Sequence, residues 1–140
     1  MNTGQLIKRY RKMRKLTQVQ LAEACGLTDS AIRNYELGNR TPCDEQLAQI
    51  ADALNVSAEA LREIPLENGR QALELLFRLS DQFSIEPRKV GGKLVLAPSG
   101  GSKIDSKLAN ALKAWRKQLD SLESGKTTQT EYDEWKASFI

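Results

Sequence analysis

The stretch TQVQLAEACGLTDSAIRNYELGNRTP, Thr17 to Pro42, decides how this chain folds. Two short helical patterns stand on either side of Gly26, and the second carries small polar residues on its outer side. Thr17 and Gln20 have the spacing of a capping box, in which each side chain satisfies an amide that the helix leaves unpaired. Gly26 suits a helix end because glycine enters the left-handed conformation without a Cβ penalty. Thr28 is positioned to cap the next helix, which runs to about Tyr35 and closes at ELGN.

Counted from Gln18 as a twenty-residue unit, Leu21, Cys25, Leu27, Ile32 and Tyr35 fall on the inner faces of the two helices. Ala22 falls where the helices cross and only a small side chain fits. Such a core holds the second helix rigidly, at roughly a right angle to the first, as entry into a DNA major groove requires. Thr28, Asp29, Ser30, Arg33 and Asn34 point away from that core. They can read base edges: arginine pairs with guanine, asparagine with adenine and aspartate with cytosine. Gln18 begins the first of the two helices, where exposed amides and a partial positive charge favour a phosphate.

Outward from this unit, Leu6, Ile7, Tyr10 and Met13 mark a helix over about Thr3–Arg14. Thr41-Pro42 suggests a helix start with proline in the first helical position. Its buried stripe would be Leu47, Ile50, Ala51 and Leu54. Ser57 caps a fifth helix with Ala60, Leu61 and Ile64. Residues 1–64 thus read as one five-helix domain, and PLENGR, within 65–70, as a linker.

These residues resemble the helix–turn–helix regulators related to phage lambda repressor and Cro, the XRE family. LTQVQLAEACGLTDSAIRNYELGNRTP carries the resemblance, with support from Leu6 to Ile64. It implies a five-helix fold and a sequence-specific regulator, most often a repressor, that binds a two-fold symmetric operator as a dimer. It also implies that Asn39 and Arg40 clamp a phosphate and that Arg11 and Glu36 form a structural ion pair. Lys15 departs from the family's usual glycine before the LTQ step, which suggests a different approach of the first helix. Asp29 brings a negative charge near the groove, so it either selects cytosine or repels most sequences.

Charge agrees with this reading. Residues 1–40 hold eight basic and three acidic side chains, whereas residues 41–64 hold one and five. Basic charge concentrated beside the helix pair suits a surface that meets phosphate, although a solvated basic helix has the same composition. The 140 residues include no histidine and two cysteines, Cys25 and Cys43. This removes the commonest general base and metal ligand together. No enzyme activity, metal or cofactor is expected. MNTGQLIKRYRKMRK lacks an apolar signal region and no apolar run could span a bilayer, so a cytoplasmic location is expected.

Residues 71–140 read as a second domain, helical with one β-hairpin, for dimerisation or partner binding. Gln71–Phe83 carries an apolar face too broad to leave in water. KVGGKLVLAP has two strand-like arms about Gly91-Gly92. Leu108, Leu112, Trp115, Leu119 and Leu122 form a short heptad seam on a helix from about Ile104 to Ser124. Thr128 and Glu131 make a capping box for a last helix bearing Tyr132, Trp135 and Phe139. Residues 119–136 resemble a short C-terminal helical-hairpin module, which implies oligomerisation or protein contact. Trp115, Leu119, Tyr132 and Trp135 serve equally as dimer contacts or as core within the domain. The region lacks the strand-rich pattern of the self-cleaving serine–lysine domains of some repressors, so Ser99, Ser102 and Lys103 read as loop. Two other functions fit the chain: an antitoxin that represses its own operon, and an adaptor that no longer binds DNA.

Overall fold

The computed structural model describes residues 1–98 and 106–139. It divides into two compact units, Met1–Ile64 with Thr128–Ile140, and Pro65–Thr127.

In the first unit, α1 (Thr3–Met13), α2 (Gln18–Cys25), α3 (Asp29–Glu36), α4 (Asp44–Leu54) and α5 (Ala58–Leu61) enclose one apolar core. Ile7, Leu21, Ile32, Tyr35, Ile50, Leu54 and Leu61 are its largest fully buried side chains. Side-chain caps open the helices: Asn2 for α1, Thr17 for α2, Thr28 for α3 and Ser57 for α5 each accept an amide hydrogen bond. Gly26 closes α2 at φ 68°.

One helix start and one helix end differ from the sequence reading. Helix α4 begins at Asp44, with Cys43 as its N-cap, and Pro42 lies buried before it. Gln46 Oε1 accepts both the Cys43 amide and the Tyr35 hydroxyl, which seats this start against the core. Helix α5 ends at Leu61, so Ile64 falls beyond it and is exposed.

The last helix, α8 (Gln129–Ser138), belongs with the first unit, whereas the sequence assigns it to a separate domain 71–140. The physical reason is a set of contacts from one face of α8. Ala137 joins the core cluster, its carbonyl accepts the Ser57 amide at 2.8 Å, and Glu134 pairs with Arg14 at 3.2 Å. Arg14 also donates from Nε to the Leu54 carbonyl at 2.9 Å, satisfying an acceptor at the end of α4.

The second unit contains α6 (Gly69–Phe83), an antiparallel hairpin of β1 (Ile85–Val90) and β2 (Lys93–Pro98), and α7 (Ser106–Glu123). Gly91 and Gly92 turn the hairpin at φ 57° and 77°, the doubly left-handed turn that matches strand twist. Strand β1 starts earlier than expected and includes Pro87, opposite Leu96. A two-stranded sheet has only edge strands, and there a missing amide is tolerated. Ser99, Ser102, Lys103 and Ile104 lie outside the described residues.

Candidate nucleic-acid interface

The site is built on the α2–α3 pair. Leu21, Ala22 and Cys25 from α2 and Ile32 and Tyr35 from α3 are buried, so α3 is anchored by one face only. Burial pushes the Cys25 thiol up, as for a small apolar side chain rather than a reactive thiolate.

The opposite face of α3 meets water. Thr28, Asp29, Ser30 and Arg33 are exposed and Asn34 is half-buried. Thr28 uses its hydroxyl oxygen to accept the Ala31 amide at 3.1 Å, which leaves its O–H as a donor. Asn34 is turned back on its own helix, where Nδ2 donates to the Ser30 carbonyl at 2.9 Å. Its Oδ1 accepts from Asn39 Nδ2 at 3.3 Å, so helix and following loop are joined. The Asn39 amide adds a bond to the Asn34 carbonyl at 3.0 Å. Gly38, at φ 76°, lets the loop turn, and Asn39 and Arg40 emerge exposed from it. Asp29, Ser30 and Arg33 therefore present the least committed polar groups.

Behind the site lies a charged lock. Arg11 grips Glu36 with Nε at 2.5 Å and Nη2 at 2.9 Å, while Nη1 donates to the Leu16 carbonyl at 2.8 Å. Gln18 completes it, with Nε2 donating to Glu36 Oε2 at 2.8 Å. The structure thus ties Gln18, read from sequence as a phosphate contact, to the end of α3. Burial pushes the Glu36 carboxyl up, but hydrogen bonds from Arg11 and Gln18, with the charges of Arg11 and Lys8, outweigh it and hold the group below its ordinary value. Its bond to Glu36 raises Arg11 in turn. A buried carboxylate this fully paired stays ionised and fixes α1, α2 and α3 together.

Gly4 is a residue that sequence reasoning passed over. A Cβ there would stand 2.0 Å from the Tyr35 carbonyl oxygen, so α1 crosses the end of α3 at backbone contact. The available signal was its place one turn before Ile7 on the same helix face. Gln46, the double acceptor described above, was passed over too. Lys15 sits at φ 58° and so takes up the left-handed conformation that glycine would adopt.

The four residues considered for dimerisation are divided between the two units. Trp115 and Leu119 stand on α7 in the second unit, while Tyr132 and Trp135 stand on α8 in the first. Tyr132 is 6% exposed, and its ring lies beside Trp135, centroids 6.4 Å apart, and under the Lys136 ammonium on the same helix. Among the described residues, no group of three or more acidic or cysteine side chains could hold a metal ion, and no helix is long and apolar enough to cross a membrane.

With this geometry in place, comparison with known proteins adds a lineage. A family model described as helix-turn-helix matches residues 7–61. YazB, an uncharacterised HTH-type transcriptional regulator of Bacillus subtilis, is 38% identical over 58 residues, which are 41% of this chain and 84% of that protein. This chain belongs to the helix–turn–helix family. Within that family, the transcriptional repressor RstR of a cryptic CTXphi phage in Vibrio cholerae is 30% identical over 89 residues, covering 64% of this chain and 80% of RstR. The immunity repressor of Bacillus phage phi105 is 43% identical over 61 residues, or 44% of this chain. The chain spans 42% of the length of that repressor, so the similarity is confined to part of each protein.

Proposed function

We propose that this protein is a sequence-specific DNA-binding repressor that acts as a dimer on a two-fold symmetric operator. The single observation that supports this most is α3: its inner face is buried in a rigid core while Asp29, Ser30 and Arg33 stand exposed on its outer face. An exposed arginine on such a helix suits the bidentate recognition of guanine, and Ser30 and Asp29 suit neighbouring base edges. Thr28 and Asn34 join them once contact with DNA competes with their present bonds. Asn39, Arg40 and the N-terminus of α2 at Gln18 supply phosphate contacts that set register. Repression then follows from occlusion of the promoter by two recognition helices in successive major grooves.

Selection of bound duplexes from a random pool tests binding, specificity and half-site symmetry together. Enriched inverted half-sites about one helical turn apart are expected. On the selected operator, Arg33→Ala should cost about 1–3 kcal/mol of discrimination, whereas Arg40→Ala should weaken operator and random DNA alike. Equal losses on both kinds of DNA in Arg33→Ala would remove that residue from base reading. Absence of any enriched sequence would defeat the proposal as a whole.

A further inference from the structure

The surface richest in unassigned information is α6. Among the described residues of Pro65–Thr127 none is buried, although α6 carries a broad apolar face. Leu73, Leu76 and Phe77 lie together on it and are 42%, 38% and 51% exposed. An apolar cluster of this kind on one helix costs free energy in water and marks a contact surface.

The charges bordering this face say what covers it. At 3.6 residues per turn, Arg70 and Asp81 lie three turns apart on the same border, next to Phe77. The other border carries only uncharged Gln71 and Gln82. Glu74 and Arg78 lie on the outer face, where Glu74 pairs with both Arg70 and Arg78 at 3.4 Å. Asp81 is exposed and has no ion-pair partner among the described residues.

A two-fold axis through the middle of α6, between Leu75 and Leu76, brings matching borders of two antiparallel copies together. Each Arg70 then faces Asp81 of the other copy, and each Phe77 lodges between the other copy's Leu73 and Leu76. A parallel pair would instead set the Arg70–Asp81 border against the side of the face that carries Ala72, Leu79 and Phe83, and leave both charges unmatched. We infer that α6 is an isologous, antiparallel dimerisation helix whose occupant is α6 of a second copy of this chain. Each charged pair occurs twice by symmetry, so one border fixes both orientation and partner. The inference rests on the dimeric reading proposed above and names the surface that would carry it.

Sedimentation velocity of the full chain over a concentration series tests it, with helicity checked by circular dichroism. The wild type should dimerise reversibly. Phe77→Asp should become monomeric with unchanged helicity. Asp81→Arg alone and Arg70→Glu alone should each raise the dimer dissociation constant on the order of tenfold. The double variant Arg70→Glu/Asp81→Arg should return it to near the wild-type value, because the border is again self-complementary. A monomeric wild type, single charge reversals without effect, or a double variant that fails to recover would each overturn the inference. Binding of the same proteins to random-selected duplexes separates the two readings. Charge-swap rescue of dimerisation without DNA binding would leave the α6 dimer and remove the repressor, whereas operator binding by a dimer insensitive to both swaps would do the reverse.

Discussion

Helices α4 and α6 carry similar amphipathic patterns, yet they end in different environments. Helix α4 buries Leu47, Ile50, Ala51 and Leu54, whereas α6 buries no residue. The first unit surrounds its stripe with four other helices and draws in α8 from the far end of the chain. The second has one hairpin and one long helix, with Leu94 74% and Leu96 57% exposed on the hairpin. An apolar stripe therefore announces that something will cover a helix without naming the cover. Where caps, turn glycines and short loops bring the cover from nearby sequence, a domain results; where they do not, a surface remains.

Substitutions can break this contrast. The largest effect is expected from Ile50→Ala, which empties a fully buried site and should cost about 2–5 kcal/mol in urea unfolding of the first unit. Leu94→Ala in the second unit should cost less than about 0.5 kcal/mol, because the side chain is largely in water already. Comparable losses from the two would erase the distinction between the units.

Next comes Tyr132→Ala on α8, with an expected loss of about 3 kcal/mol appearing in the same transition as Ile50→Ala. If that variant shifted only a separate transition of the second unit, the placement of α8 would be wrong. Gly4→Ala should cost about 1–3 kcal/mol, since the new methyl meets the Tyr35 backbone rather than a yielding side chain. A neutral outcome in thermal melts would mean that α1 can move away from α3 at no cost.

Acid sharpens the contrast further. The Glu36 carboxyl is held below its ordinary value of 4.5 in the folded state, so the folded form binds the proton less readily than the unfolded form. Its stabilisation is fully present above pH 4.5 and is lost as pH falls through the lower folded-state value. Unfolding midpoints of the first unit should therefore fall through this acid range, and Glu36→Gln should flatten that dependence while lowering stability at neutral pH. The smallest effect is a gain. Lys15→Gly relieves a left-handed non-glycine residue and should stabilise the first unit by up to about 1 kcal/mol, offset in part by glycine's greater unfolded entropy.

Much of the recognition unit was legible in residues 1–64 because its signals are local. Thr17 with Gln20, Gly26, and the spacing of Leu21, Cys25, Ile32 and Tyr35 each act within one or two turns. Less could be read at the site itself. Asn34 looked like an outward side chain, but its amide is spent on Ser30 and Asn39, and Gln18 is committed to Glu36. Only the Ser30 bond, four residues back on the same helix, follows from spacing; the others depend on where a loop returns and on which groups a third helix brings near. Helix periodicity carries no such information.

The sequence by itself determined the run of helices, the caps at Thr17, Thr28, Ser57 and Thr128, the hairpin turn and the outward set Asp29, Ser30 and Arg33, because steric freedom at glycine, amide satisfaction and the 3.6-residue repeat operate between near neighbours. Tertiary structure alone decided that Gly4 lies against the Tyr35 carbonyl, that Gln18 joins Arg11 on Glu36, and that α8, which follows the whole second unit in sequence, offers a carbonyl to the Ser57 amide. Those outcomes turn on which distant surfaces bury each other best, a competition settled by packing over the whole core.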